Sequence, residues 1–312
     1  MTHAAHLNTA AAAPLAISVG PDSLTWRFIG DVRFLVFGLS QAFIVQVAHP
    51  VVSQGVEEFS TFRTDPYGRF MRSIALLWPA TYNTPAGQAD YGRRVRERHR
   101  GIKGVDSSGK AWHALNPEPY LWVHMTAFHA MTRFADCVGE SLTQAEQEQL
   151  FQEWLVIGQT LGIRMEDLPA TQAEFWAKFD HLIRHRLERT VTMDFLLSDS
   201  YFKPVRKGAM RRIPRPIWQL LARNVSQFAN FTMRGTLPES FREQFDVPWS
   251  KADARKLHWL NKAIQVAWLA VPEQKRWLPE AWVAMQDARL HPERYANSST
   301  RSSDHEASTC PA

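Results

Sequence analysis

His99 lies in Tyr91-Gly-Arg-Arg-Val-Arg-Glu-Arg-His-Arg-Gly-Ile-Lys103, one imidazole among five arginines. Wound as a helix at about 100° per residue, Tyr91, Val95 and Ile102 fall within about 80° of His99 on one side. Gly92, Arg96 and Lys103 fall within about 60° on the other. The imidazole therefore stands between an apolar stripe and a cationic one. A haem needs both: an apolar slot for the ring, a neutral imidazole for the iron and cations for the propionates. The same spacing equally suits a solvated histidine at the edge of a core.

A second constellation is Asp65-Pro-Tyr-Gly-Arg69-Phe-Met-Arg72-Ser73-Ile-Ala-Leu76-Leu77. Arg69, Arg72 and Ser73 share one helix face that continues into Leu76 and Leu77. A guanidinium beside an apolar face requires an anion, either Asp65 or a cofactor carboxylate; the plainer reading is the cationic edge of an amphipathic helix. His49, in Gln46-Val-Ala-His49-Pro50, ends an apolar helix, where an imidazole serves the terminal carbonyls or faces a ligand. His113, His124 and His129 border a Trp/Met/Phe-rich segment and suit the rim of a core. His181-x-x-x-His185-x-x-Glu188 on one helix has divalent-metal spacing, but Arg184, Arg186 and Arg189 crowd it with positive charge.

These residues need helices to position them. Apolar residues recur at three- and four-residue spacing, and no alternating pattern exceeds a few residues. The expected helices are 30–48, 51–60, 66–78, 87–103, 119–138, 144–161, 172–198, 215–234, 250–271 and 279–290. Thr143-x-x-Glu146 and Thr171-x-x-Glu174 have capping-box spacing, Pro117 and Pro119 open a helix, and Gly139 and Gly162 close two. Residues 199–214, with five Lys/Arg and two prolines, are the least regular stretch. We expect one all-α domain over 21–295, with a mobile tail at 1–20 and a disordered one at 296–312.

The 312 residues carry 36 Lys/Arg and 31 Asp/Glu, and 45% are hydrophobic, which excludes a disordered chain. Twelve Trp suit wide spaces between helices or around a ligand. Two cysteines, Cys137 and Cys310, form neither a disulfide framework nor a four-Cys zinc site, which points to a reducing cytoplasm. Residues 1–13 lack the cations of an export signal, and the apolar run 34–48 is too short and polar to cross a bilayer. No nucleotide-binding loop, nucleophile elbow, zincin motif or paired Glu-x-x-His of a di-iron bundle is present.

Several segments in order carry a family likeness: Gln46-Val-Ala-His49-Pro50 with Gly55-Val-Glu-Glu-Phe-Ser60; Asp65-Pro-Tyr-Gly-Arg69-x-x-x-Ser73; Val95-x-x-x-His99-x-x-x-Lys103-Gly104; and Ala114-Leu-Asn-Pro-Glu118 with Leu121-Trp122-Val123-His124. Leu161-Gly162, Leu168-Pro169 and Asp246-Val-Pro-Trp249 follow. Over about residues 25–290 the chain resembles the rubber oxygenase catalytic-domain superfamily, which includes bacterial latex-clearing proteins and the fungal oxygenase of mycophenolic acid biosynthesis. The resemblance implies an all-helical fold with a globin-like core holding one haem b, and oxidative chemistry with dioxygen. It places the proximal haem histidine on His99 and the family's Arg and Thr on Arg69 and Ser73, a change that keeps the hydroxyl. Where latex-clearing proteins have a Lys that can reach the iron, this chain has Arg72, which has no lone pair to offer. Their distal glutamate has no clear counterpart; Glu57 and Glu58 are nearest.

The expected activity is thus a cytoplasmic haem b-dependent oxygenase acting on a small apolar or isoprenoid-like molecule. His99 would be the iron ligand, Arg69 and Ser73 would line the pocket, and Arg96 and Lys103 would be further propionate partners. The rival expectation is a non-enzymatic helical binding protein whose basic helix 87–103 contacts an acidic partner; with a surplus of only +5 and no nucleic-acid motif, nucleic acid is not expected.

Overall fold

The computed structural model describes residues 19–106, 109–198, 204, 206 and 208–296. Residues 1–18 and 297–312 of the two expected tails, Cys310 and part of the 199–214 stretch lie outside the described residues, whereas Val19 is buried in the core. So do several α4 side chains, that of Ser73 among them. Among the described residues the helices are α1 (Leu24–Gly30), α2 (Ser40–Val47), α3 (Pro50–Phe59), α4 (Pro66–Thr81), α5 (Pro85–His99), α6 (Pro117–Val138) and α7 (Gln144–Thr160). They continue as α8 (Gln172–Arg186), α9 (Val191–Leu197), α10 (Arg215–Thr236), α11 (Glu239–Gln244), α12 (Lys251–Trp268), α13 (Glu273–Arg276) and α14 (Pro279–Leu290). One small antiparallel hairpin, β1 (Lys103–Val105) on β2 (Ala111–His113), is the only sheet among them. The chain is all-α, as its periodicity demands.

Local signals set many ends. Thr143 and Glu146 form the complete reciprocal box that starts α7. Thr171 accepts from the Glu174 amide, but the Glu174 carboxylate turns to the Ala170 amide instead. Gly139 ends α6 in the left-handed region at φ 77°, which costs glycine nothing.

Three boundaries depart from the sequence reading, each for a tertiary reason. The helix expected over 30–48 is a turn of π-helix at Leu35–Leu39 running into α2, and a separate α1, capped by Ser23, precedes it and ends at Gly30. The helix expected over 172–198 stops at Arg186, because the Glu188 amide donates to the Ala48 carbonyl at 2.8 Å and Thr190 caps α9. The helix expected over 87–103 stops at His99, since Lys103 pairs with His113 in the hairpin.

The core gathers round α6, which packs against the π-turn, α1, α2, α7, α8 and α12. Phe128, Phe151, Trp154, Phe175 and Phe179 mesh edge-to-face and stacked, with ring centres 4.7–6.4 Å apart. Each such ring withdrawn from water contributes about 2–3 kcal/mol. At α1 the exposed amides meet a buried carboxylate: Glu153, 1% exposed, accepts from the Leu24 and Thr25 amides, the Thr25 hydroxyl and the Gln149 amide group at 2.8–3.0 Å.

His124 and His129 are core residues. His124 stacks on Trp154 at 4.5 Å and bonds the Trp154 carbonyl at 2.9 Å; His129 stacks on Phe179. Burial lowers their pKa values from 6.5 to about 4 and about 3. Below pH 6.5 the unfolded chain takes up protons that the native rings refuse. Their stabilisation is therefore complete above pH 6.5 and is lost as pH falls toward 3, at up to about 1.4 kcal/mol per pH unit for each ring. Urea midpoints measured from pH 7 to 4 should fall steeply, and His129→Phe should flatten the slope; an unchanged slope would contradict this.

Candidate functional site

The α4–α5 hairpin brings the predicted residues to one level. The two helices turn over at Tyr82–Thr84 and pack on each other. At 1.5 Å rise per residue, Arg69 lies about 18 Å from that turn and His99 about 21 Å. Gln88, buried in the turn, donates to the Val19, Thr81 and Asn83 carbonyls, while Thr84 caps α5. The hairpin thus carries His99, Arg69 and the Ser73 backbone on adjoining rods.

His99 is half-buried in the last turn of α5. Its Nδ1 donates to the Val95 carbonyl at 2.7 Å, one turn earlier. A carbonyl only accepts, so this bond fixes the proton on Nδ1 and leaves the Nε2 lone pair outward. Among the described residues Nε2 has no hydrogen-bond partner. That is the donor chemistry haem iron takes: a neutral imidazole whose far nitrogen is pinned by a backbone acceptor. The edge of Tyr120 lies 6.1 Å from the ring. Its hydroxyl donates to the Leu161 carbonyl at 3.0 Å, and burial pushes its pKa up to about 12, so it stays protonated.

The C-terminal half of α3 reaches both sides of this region. Ser60, which caps α3, accepts a 2.7 Å bond from Arg69 Nε. Farther back, Gly55 faces Ile102 and the buried Trp112, and the Phe59 ring meets Trp112 edge-on at 6.5 Å. Arg69 is half-buried, whereas Arg72 is exposed and bonds Asp65 and Thr61. Glu57 accepts two bonds from Arg63 and one from Thr192, and these hold its carboxyl below the usual range. It is ill suited to act as a base near neutral pH. Glu58 is exposed.

Arg96 turns onto α7, where Nη1 donates to the Thr160 carbonyl at 3.1 Å. Lys103 is exposed on β1. Arg93 and Arg94 both pair with Asp90, which partly neutralises the basic face of α5. The seat of α5 depends on Gly92, where any Cβ would overlap the Thr160 carbonyl. Gly92→Val should cost roughly 1–3 kcal/mol of unfolding free energy, as overpacking does. An unchanged urea midpoint would refute that close contact.

The other histidines do not join this group. His113 Nε2 donates to the Arg100 carbonyl and its Nδ1 accepts from the Leu115 amide, so both nitrogens serve the hairpin. His49 is buried between α2 and α3, its Nε2 3.5 Å from Glu118, and burial lowers its pKa. The His181 and His185 rings lie 4.6 Å apart and tilted by 45°, but Glu188 lies beyond the end of α8, so the helical ligand spacing fails. Among the described residues no cluster of three or more His, Cys, Asp or Glu could hold a metal ion. The sequence reading missed the hairpin, Trp112 and the Ser60–Arg69 bond. Gly104 and Gly109 around a polar turn were the signal for the hairpin; the bond had none.

An all-helical domain that carries a tautomer-fixed histidine and a half-buried arginine on two packed helices is the setting in which the comparisons with known proteins fall. The chain belongs to the family described as ER-bound oxygenase mpaB/B′/Rubber oxygenase, catalytic domain, whose pattern matches residues 26–266. Its relatives include uncharacterised proteins of Mycobacterium tuberculosis and Mycobacterium bovis. Each is 23% identical over 259 residues, covering 81% of this chain and 93% of the relative. No solved structure matches significantly. Among the described residues no single helix is long and apolar enough to cross a membrane, though one sharply bent pair, Leu35–Val47 with Pro50–Phe59, passes by length and composition.

Proposed function

We propose that this oxygenase-family chain is a haem b-dependent oxygenase whose iron ligand is His99 Nε2, with dioxygen and a small apolar or isoprenoid-like molecule as substrates. The observation that carries the reading is the 2.7 Å bond from His99 Nδ1 to the Val95 carbonyl, which leaves Nε2 as the nitrogen available to a metal. When bound, haem b supplies the redox-active iron needed to use dioxygen.

The protein's part is binding and positioning. Val95 fixes the tautomer and plane of the imidazole. Ser60 accepts from Arg69 Nε, which helps fix the plane of a guanidinium whose chemistry suits a carboxylate or an oxygen. Ser73, four residues after Arg69 in the sequence, is the hydroxyl that the family resemblance pairs with it. Arg96 and Lys103 are the further cations for propionates, Arg96 with one donor already committed to Thr160. Tyr120 supplies aromatic surface against His99, and Trp112 packs on Phe59 beside α3, in keeping with an apolar substrate. An absorption spectrum with quantified iron tests the proposal: a Soret band at one haem per chain supports it, and a colourless protein that cannot take up added haemin refutes it.

A further inference from the structure

Between Asp199 and Glu239 the chain runs for 39 residues without one acidic side chain, yet with eight Lys and Arg. The rest of the molecule holds 28 Lys/Arg against 31 Asp/Glu. The cationic surplus of the protein is therefore confined to this segment. Most of it is α10 and the turn of 3₁₀ helix before it, Gly208–Arg212.

α10 is also turned inside out. Ile217, Leu220, Leu221, Val225 and Phe228 span about 140° of one helix face. In a helix packed against a core that face would be covered. Here those five side chains are open to solvent, from 39% for Phe228 to 63% for Leu220. The face that packs inward, toward the π-turn and α2, carries the small or polar Ala222, Ser226 and Asn230 along its length and Met233 near its end. Arg211, Arg212, Arg215 and Arg223 are all exposed, and none pairs with a carboxylate among the described residues. Arg206 braces the approach by donating to the Arg211 and Ile213 carbonyls at 2.7 and 2.5 Å.

We infer that α10 and its cationic approach form an interfacial helix that lies on an anionic lipid surface. An apolar stripe with arginines along its margin and at one end suits the boundary between headgroups and acyl chains. A second copy of this chain fits badly. With no carboxylate between 200 and 238, pairing α10 with itself in either direction opposes arginine with arginine. A nucleic acid would pair with the cations but leave five desolvated aliphatic and aromatic side chains without a match. The inference does not depend on the haem reading, since vesicle binding requires no cofactor.

The test is co-sedimentation of the full chain with vesicles of equal parts phosphatidylglycerol and phosphatidylcholine, beside phosphatidylcholine alone. Sedimentation velocity without vesicles runs in parallel. We expect binding that requires phosphatidylglycerol and weakens with salt. Arg211→Gln with Arg212→Gln should weaken it about 30-fold, from the usual contribution of two surface cations. Ile217→Glu with Leu221→Glu should abolish it. Because all four side chains are exposed, thermal unfolding should stay close to wild type. Absence of binding to phosphatidylglycerol vesicles overturns the inference, as does equal binding to both vesicle types or wild-type binding by either double variant. A chain that ignores vesicles but self-associates through α10, losing this in the Ile217/Leu221 variant, overturns it in favour of a dimer.

Discussion

His99→Ala should yield a folded protein that no longer retains haem and has lost its oxygenase activity. The side chain is half-buried at the end of α5, and its one hydrogen bond is to a carbonyl in its own last turn. Removing it exposes that carbonyl to water at a helix terminus, where such groups are often solvated, so the cost in stability is about 1 kcal/mol. The cost in cofactor binding is that of the whole iron–nitrogen bond. Two neighbouring histidines are poor substitutes: His113 has both nitrogens engaged and His124 is buried against Trp154. A small change in the unfolding midpoint with complete loss of the Soret band is the expected pattern. A large loss of stability with haem retained would assign His99 a purely structural role.

The largest expected effect on stability belongs to Glu153→Ala. The carboxylate is almost fully buried and accepts four hydrogen bonds, three of them from the first residues of α1. It serves as a cap borrowed from a helix 128 positions along the chain. Its removal leaves two buried amides and a hydroxyl unpaired beside a cavity, at about 3–5 kcal/mol in all. Glu153→Gln keeps the volume and an acceptor oxygen and should recover part of that loss. Urea denaturation of the two variants checks the ranking, and equal midpoints for Glu153→Ala and wild type would contradict it.

What could be read from the sequence was local. The Thr143–Glu146 box and the glycine ending α6 are encoded within four residues, so spacing revealed them. The two faces that flank His99 were legible only in part: Tyr91, Val95, Gly92 and Arg96 lie on α5, but Ile102 and Lys103 fall beyond its end. The break between α8 and α9 was not legible, because it depends on the Ala48 carbonyl some 140 positions earlier. The hairpin strands are three residues each, too short for alternation to show. The Ser60–Arg69 bond depends on how α3 ends and where α4 begins, which periodicity does not contain. α10 shows the other limit. Its spacing marks an apolar face but not what covers it, and here that face looks outward.

The most direct measurement is chemical rescue of His99→Gly. The wild-type protein, titrated with haemin, should bind one equivalent and develop a Soret band. The glycine variant should take up little, and free imidazole added to the cavity should restore the band by supplying the missing nitrogen. A glycine variant that binds haemin as the wild type does, with no response to imidazole, would show that the iron ligand is some other residue.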